Sequence, residues 1–364
     1  MSSLFIAGIG LAVFLEFLLI TKKNKTGSDK ILTIWMFLIL FHLFLFFLHY
    51  TGNILDVSFL LGIEHPLPLF HGVFLYLYVS SLTSQLPRRK MIIALHFLPA
   101  AMMYASLTTF FTLPADQKVF VYQNSGAGYE LFSAVKWYTV ALSGVCYVVW
   151  SIVLLRRHAR EIRDRFSNLE KVNLRWLQIL TFGMGGIWLL VIFFGGDVVI
   201  FAGVVVFVFL IGFHGVRQTA IFTPSRSEDT GPKKKYRKSG LTEKAVEELH
   251  QKIRQLMMEE TLYRKSDLSI ADLSAKLGVH PNYLSQTINQ REKRNFYDFV
   301  NGYRIEEFKQ LIAQQKNRRF TLLSLAFECG FSSKTSFNRC FKNATGMTPS
   351  QYVRQVAGTE VPPQ

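Results

Sequence analysis

Two stretches near the C-terminus carry polar side chains at spacings that place them on one face of a helix. Asn282, Ser285 and Gln286 are spaced as neighbours on a helix surface. A more basic set repeats the pattern: Lys334, Thr335, Asn338, Arg339 and Lys342. Asn and Gln suit adenine edges, and Arg and Lys suit guanine, in the major groove of DNA. Both faces are therefore candidates for reading base pairs, with an ordinary solvated helix face as the alternative.

A second polar group lies among apolar segments of the first 200 residues. Its members are His49, Glu64, His65, Lys136 and Asp197. Ionisable side chains at the ends of membrane spans are costly and commonly functional, which makes this group a candidate signal-binding site. Two prolines beside Glu64 and His65 predict a broken helix that lines a cavity. Interfacial positions with snorkelling side chains are the alternative.

Seven apolar runs separate or contain these polar residues. They cover residues 3–20, 31–50, 60–82, 91–113, 131–155, 177–194 and 198–213. A helix needs about 20 apolar residues to cross the hydrocarbon core of a bilayer. Seven such runs leave almost no polar face to meet water, so we expect a seven-helix transmembrane bundle rather than buried soluble helices.

Basic residues are distributed unequally between the loops that join these runs. The stretches after the first, third and fifth runs carry 14 Lys and Arg, whereas the alternate loops carry Lys118 alone. Cytoplasmic loops are enriched in Lys and Arg. The expected location is therefore the bacterial cytoplasmic (inner) membrane, with the N-terminus outside and the C-terminal region in the cytoplasm.

Composition supports a division of the chain into an apolar part and a basic part. The 364 residues are 50% hydrophobic and only 18% charged, with a formal net charge of +16. Residues 1–232 hold 18 basic and 12 acidic side chains, and residues 233–364 hold 23 and 13. A single soluble domain and a disordered chain are both excluded. Cys146, Cys329 and Cys340 have no metal-site spacing and cannot all pair, which excludes a disulfide framework.

Capping signals predict two helix-turn-helix units in the basic part. Ser269 is placed to cap a helix that ends at Gly278, and His280-Pro281 open a second helix. Thr321 starts a third helix that closes at Gly330-Phe331, and Ser332 starts a fourth. Residues 296–312 are predicted to form one connecting helix, about 25 Å long at 1.5 Å per residue. Helix, glycine-containing turn and helix is the helix-turn-helix pattern.

Residues 245–355 resemble the AraC/XylS-type DNA-binding domain. The stretch from Ala326 to Lys342 and the following Gly346-Met347-Thr348-Pro349 are similar to that family's signature, and residues 301–305 fit its connecting helix. The whole chain resembles AraC-type regulators with a seven-span N-terminal region. The resemblance implies two recognition helices in successive major grooves, roughly 34 Å apart. Phe308 and Ser274 stand where the family usually has alanine, which bears on local helix packing.

These observations predict an all-α protein with four parts. A seven-span membrane domain, the expected sensor, covers residues 1–217, and a basic linker covers residues 218–240. The DNA-binding domain covers residues 241–357, with helix-turn-helix units at about 269–290 and 321–343, and a tail covers residues 358–364. The basic run 233–238 in the linker is expected to be solvated or to contact lipid head groups or DNA phosphates.

The expected function is that of a membrane-embedded, one-component, sequence-specific transcription regulator and not an enzyme. The partners would be double-stranded promoter DNA, the lipid bilayer and an unknown small-molecule or membrane signal, with homodimerisation left open and no cofactor. A sensor kinase or cyclase would need a phosphate-binding loop or a phosphoacceptor segment that the sequence lacks. A transporter or receptor-like membrane protein with a regulatory DNA-binding tail is the alternative, although only the third run looks broken.

The predicted topology is testable with fusions to a reporter that is active only outside the membrane. Fusions at Gly128 should be active, because this residue lies in a loop with a single lysine. Fusions at Ser167 and Ser227 should be inactive. Activity at Ser167 would contradict the topology.

Overall fold

The computed structural model describes residues 2–170, 172, 174–217, 242–314 and 320–357. The predicted basic linker, residues 218–240, and the predicted tail, residues 358–364, lie outside these described residues. The chain divides into two compact units. One unit holds Met1–Arg156 and Leu174–Asp229, and the other holds Arg157–Asn173 and Thr230–Gln364. The short stretch Arg157–Asn173 therefore belongs with the C-terminal region and not with the segments that flank it in sequence.

The all-α prediction is confirmed for the described residues, whose only β feature is an isolated bridge. The helices of the first unit, in chain order, are α1 Ser2–Thr21, α2 Gly27–Thr51, α3 Leu67–Leu82, α4 Lys90–Leu95, α5 Leu98–Ser106, α6 Thr108–Phe111, α7 Ala115–Gln123, α8 Glu130–Arg163, α9 Arg175–Phe193 and α10 Asp197–Arg217. The last two turns of α8 lie in the second unit.

Four of these helices are long and apolar enough to cross a membrane. They are α1, α2, α8 and α9, and the shorter apolar helices among the described residues are α3 and α10. The fourth apolar run, residues 91–113, is three short helices instead of the single span that was expected. Pro99 lies in the first turn of α5 and has no N–H to donate, which favours a break in the helix just before it. The seven-span arrangement thus stays a prediction.

Close approach of helices through glycine organises the core of the first unit. A Cβ atom on Gly8 of α1 would lie 2.5 Å from Val205 of α10, and one on Gly144 of α8 would lie 2.1 Å from the Trp188 ring of α9. Small residues at helix interfaces are common in membrane proteins because they permit tight packing. These two glycines therefore set how closely α1 and α8 approach their neighbours.

The helices of the second unit are α11 Glu243–Glu259, α12 Ile270–Leu277, α13 Pro281–Glu292, α14 Phe296–Ala313, α15 Leu322–Glu328, α16 Lys334–Thr345 and α17 Pro349–Ala357. The predicted caps of the first pair are confirmed. Ser269 forms a capping box with Asp272, Gly278 adopts the left-handed conformation at φ 65°, and His280 caps α13. The connecting helix α14 ends one residue beyond its predicted end.

The start of α16 differs by one residue from the prediction. Ser333, and not Ser332, is the N-cap, and its hydroxyl accepts a hydrogen bond from the Ser336 amide. Gly330 lies in the turn before α16 and has a φ of 96°. Its α-carbon packs closely on the backbone of residues 263–264. A Cβ atom at this position would lie 2.6 Å from two carbonyl oxygens. This tight approach requires glycine and places Ser333 at the helix start.

Each helix pair has its own apolar core, and α14 contributes to both. Phe299 and Val300 pack with α11, α12 and α13, whereas Ile305 and Phe308 pack with α15 and α16. Phe308 is fully buried, with its ring 4.7 Å from Phe337 and 5.5 Å from Phe341. The departure from alanine at this position is thus accommodated by an aromatic cluster. Ser274, the other departure, is buried in the described structure without a hydrogen-bond partner for its hydroxyl.

Replacement of Phe308 by alanine is expected to destabilise the second unit by about 3–5 kcal/mol, because it empties the centre of an aromatic core. The measurement is amide hydrogen exchange of α15 and α16 in the full chain. Phe320→Ala is the matched control, since this phenylalanine is 52% exposed. Equal exchange in the two variants would contradict the role of Phe308.

Candidate functional site

The polar face predicted on the last helix pair points away from the core. Helix α16 buries Ser336, Phe337, Cys340 and Phe341. The opposite side exposes four of the five predicted residues, which are Lys334, Thr335, Asn338 and Lys342. An exposed face with two cations and two hydrogen-bonding side chains suits contact with base edges and phosphates.

Arg339, the fifth predicted residue of this helix, is held against the connecting helix. Its Nη2 donates a hydrogen bond to the Tyr297 hydroxyl at 3.0 Å, and its guanidinium lies 5.9 Å from the centre of the Tyr297 ring. Arg339 is consequently half-buried and restrained, whereas the other four are free to extend. Its contact with α14 had no local sequence signal.

The face predicted on α13 is less exposed. Asn282 is exposed, while Ser285 and Gln286 are half-buried. The structure adds two residues that the sequence reasoning missed. Asn289 is exposed one turn beyond Ser285 and approaches its hydroxyl at 3.4 Å, and Tyr283 is 40% exposed. The i+4 spacing from Ser285 was the available signal for Asn289.

Arg304 of α14 lies at the centre of the second unit and is 1% exposed. Its guanidinium donates to the carbonyl oxygens of Tyr263 at 2.6 Å and Lys265 at 2.7 Å, and to the Asn301 side chain at 3.0 Å. Burial lowers the pKa of Arg304 to about 10, which still leaves it charged at neutral pH. The network fixes α14 to the loop that precedes α12.

The polar group predicted in the first unit converges on one cavity. His49, Glu64, His65, Lys136 and Asp197 all line a cavity of about 340 Å³, which they share with His42 and His71. The five predicted residues come from three helices, α2, α8 and α10, and from the turn before α3. Pockets from about 300 Å³ upward are typical of small-molecule sites. The remaining walls are mainly apolar and aromatic and include Trp137, Trp188 and Phe207.

Histidines pair with one another and with tyrosine around this cavity. His42 Nδ1 and His71 Nε2 are 2.9 Å apart, and His49 Nδ1 lies 2.8 Å from the Tyr122 hydroxyl. Glu64 Oε1 is 3.5 Å from His49 Nε2 and 3.6 Å from His65 Nδ1, which is longer than a normal hydrogen bond. The imidazoles are therefore mutually oriented, but none of them fully satisfies the carboxylate.

Several buried polar atoms around the cavity have no hydrogen-bond partner among the described residues. They are both oxygens of Glu64, His49 Nε2, His71 Nδ1 and Trp188 Nε1. An unsatisfied buried polar group costs about 1–3 kcal/mol, so the native protein normally pairs such groups with water or a ligand. No cluster of three His, Cys, Asp or Glu in the described part of the chain is arranged to hold a metal.

Comparison with known proteins places the C-terminal region in an AraC-type helix-turn-helix family. Residues 273–355 match the family model described as a helix-turn-helix domain. A stretch of 101 residues is 34% identical to uncharacterized HTH-type transcriptional regulators of Staphylococcus aureus strains COL and MSSA476, and covers 28% of this chain and 13% of each relative. The probable transcriptional regulator LumQ of Photobacterium leiognathi is 31% identical over 110 residues, which is 30% of this chain and 42% of LumQ.

The match to the family model lies in the C-terminal third. The matched part spans less than half the length of each of these relatives. No solved structure matches the chain. The predicted resemblance of the C-terminal region is confirmed, and the cavity residues lie outside the matched region.

Proposed function

Because the C-terminal region carries an AraC-type helix-turn-helix domain, we propose that the chain is a membrane-embedded transcription regulator that binds promoter DNA directly. The observation that carries this proposal is the exposed polar face of α16 in a domain that matches the family model. Lys334, Asn338 and Lys342 are the proposed contacts on this helix, with Asn282 and Gln286 on α13. Two such helices on one domain suit successive major grooves.

A location in the inner membrane is supported by two independent features. Four helices of the first unit have the length and composition of membrane spans, and two further helices are shorter but apolar. The distribution of Lys and Arg between loops favours a cytoplasmic C-terminal region. The domain would then face the chromosome while the first unit stays in the bilayer.

The cavity supplies the proposed input. A signal changes DNA binding only if it binds two arrangements of the protein with different affinity, by about 1–3 kcal/mol for a typical coupling. His49, Glu64, His65, Lys136 and Asp197 are the proposed sensing residues, because they meet in one cavity with unpaired polar atoms. A ligand there would contact α2, α8 and α10 at once.

The proposed function is tested by selection of duplexes from a random DNA pool with the full chain in detergent micelles. Enrichment of a defined sequence is expected. The Asn338→Ala variant should then bind that sequence with a free energy about 1–3 kcal/mol less favourable. It should also discriminate less between bases at one base pair. Lys342→Ala should weaken binding to all duplexes and reduce the slope of log affinity against log salt by about 1.

Lys252→Ala is the control for the loss of a positive charge. Lys252 is exposed on α11, which belongs to neither helix-turn-helix pair. The Lys252→Ala variant should have the same affinity for DNA and the same salt slope as the wild type. A wild-type chain that enriches no sequence would contradict the proposed function.

A further inference from the structure

The cavity of the first unit is lined by two carboxylates, Glu64 and Asp197, and by the ammonium group of Lys136, which act on one another electrostatically without a direct ion pair. Glu64 has two shielded oxygens without hydrogen-bond partners among the described residues. Lys136 lines the same cavity. It forms no hydrogen bond or ion pair with another described residue. An unpaired carboxylate attracts an ammonium group, and an unpaired ammonium attracts a carboxylate. Glu64 and Lys136 thus each keep hydrogen-bonding capacity for a ligand group of opposite charge.

The rest of the wall is suited to an apolar group. Trp137, Trp188, Phe207, Val140 and Met184 line the cavity alongside the charged residues. Aromatic and aliphatic walls bind apolar groups through burial, while a few polar groups fix orientation. A ligand that satisfies the whole site therefore carries two opposite charges at one end and an apolar group at the other.

We propose that this cavity binds a small zwitterion of the amino-acid type with an apolar side chain. Its ammonium group contacts Glu64, its carboxylate contacts Lys136, and its side chain lies against the aromatic wall. This assignment deepens the proposed sensing role and rests on it for its biological meaning. The binding itself does not involve DNA, so the two proposals fail separately.

The test measures binding of three probes of similar shape to the full chain in detergent micelles by calorimetry. The probes are L-phenylalanine, phenylethylamine, which lacks the carboxylate, and phenylpropionate, which lacks the ammonium. L-phenylalanine is expected to bind at least tenfold more tightly than either of the others, since it alone pairs both charges. Glu64→Gln should weaken the binding of L-phenylalanine and of phenylethylamine. Lys136→Met should weaken the binding of L-phenylalanine and of phenylpropionate.

Asp116→Asn, a carboxylate change at an exposed position of α7 outside the cavity, is the control and should leave all three affinities unchanged. The proposal is overturned if no probe shows saturable binding at millimolar concentration. It is also overturned if L-phenylalanine binds no better than the two singly charged probes, or if the two cavity variants behave as wild type.

An independent observation concerns the segment 164–170, here called the strap, which follows α8 and packs within the second unit. The strap forms a short antiparallel pairing with the start of α12. Ser167 N donates to Leu268 O at 3.1 Å, Ile270 N donates to Arg165 O at 2.9 Å, and Phe166 lies opposite Ser269. Leu169 is buried in the core of the second helix pair.

The strap also engages the buried guanidinium of α14. Arg304 Nη2 donates to the Ser167 hydroxyl at 3.1 Å, and Asn301 Nδ2 donates to the Ser167 carbonyl oxygen at 3.1 Å. The Ser167 hydroxyl in turn donates to Leu268 O at 2.6 Å. The strap is therefore held between the two helix pairs by specific hydrogen bonds.

Both ends of the strap place carboxylates against the proposed reading helices. Glu170 accepts hydrogen bonds from the hydroxyls of Ser332 and Ser333 at the start of α16, and its negative charge also acts on Arg339. Asp164 interacts with the side chain of Asn289 on α13, which lowers the pKa of Asp164 against the larger, opposite effect of burial. DNA phosphates commonly bind at helix N-termini. The Glu170 carboxylate takes up a position that suits such a phosphate.

We infer that the strap is an intramolecular brake, which competes with DNA for the two reading helices and must leave before both helices can bind. The strap is the direct continuation of α8, the helix that carries Lys136 of the cavity. A displacement of α8 thus reaches the second unit along the chain itself. This inference rests on the proposed DNA binding and adds the element that regulates it.

The decisive experiment locks the strap in place with a reversible disulfide. Phe166 and Ser269 are directly opposed across the antiparallel pairing, and such a pair has the α-carbon separation that a disulfide needs. Phe166→Cys with Ser269→Cys is made in a Cys146→Ser background, which removes the exposed cysteine and leaves the two buried ones. The oxidised full chain should lose specific DNA binding, and dithiothreitol should restore it.

A second variant releases the brake without a change in the core. Glu170→Gln should bind DNA about tenfold more tightly than wild type, within the range of typical couplings. Glu306→Gln is the control, because Glu306 is an exposed carboxylate that pairs with Lys309 on α14. Equal DNA affinity of the oxidised and reduced disulfide variants would overturn the brake, as would weaker or unchanged binding by Glu170→Gln. Absence of DNA binding by the wild-type chain would instead contradict the proposed function.

Discussion

The geometry of the second unit depends on one buried charge. A guanidinium removed from water is tolerated only if its donors are paired, because an uncompensated buried charge costs several kcal/mol. Arg304 meets this requirement with five hydrogen bonds to Tyr263, Lys265, Asn301 and, twice, Ser167. These partners come from the loop before α12, from one turn away on α14 and from the strap. The placement of α14 and of the loop before α12 is therefore one solution to this electrostatic constraint, and the strap completes it in the braked arrangement.

The hydrogen bonds of Arg304 also help to fix the spacing of the two helix pairs. Each pair has an apolar core of its own, and the pairs share α14. The reading helices α13 and α16 thus keep their spacing only as long as α14 and its neighbours hold together. Arg339 adds to this order, because its bond to Tyr297 ties α16 to the same connecting helix. A protein that must match the helical repeat of DNA gains from such a fixed spacer.

The first unit contains the opposite situation, in which polar groups are buried without complete pairing. Glu64 is 14% exposed and approached only at long distance by two imidazoles. Such a group is costly in an apolar surrounding, and the cost is recovered when a ligand supplies the missing donors. Buried polar groups that are fully paired stabilise a fold, as around Arg304. Groups that are left unpaired around a cavity are suited to recognition, as around Glu64.

The sequence by itself determined the features that depend on neighbours along the chain. The caps at Ser269, Gly278 and Thr321, the long helix α14 and the outward face of α16 follow from hydrogen bonds and periodicities that span a few residues. The polar group around Glu64 was also found from sequence, since apolar runs fix the depth of each residue. Its shared cavity was a hypothesis until the helices were in place.

Only the tertiary structure decided which distant segments meet. Ser167 contacts Arg304 across 137 positions of sequence, and Glu170 contacts Ser333 across 163. In sequence the strap is part of an ordinary loop between two apolar runs, because neither its charge nor its hydropathy specifies a partner. Arg339 likewise looked like a free reading residue until Tyr297 was seen beside it. Such contacts depend on shape and on the pairing of buried polar atoms, and both arise only when segments far apart in the chain are brought together.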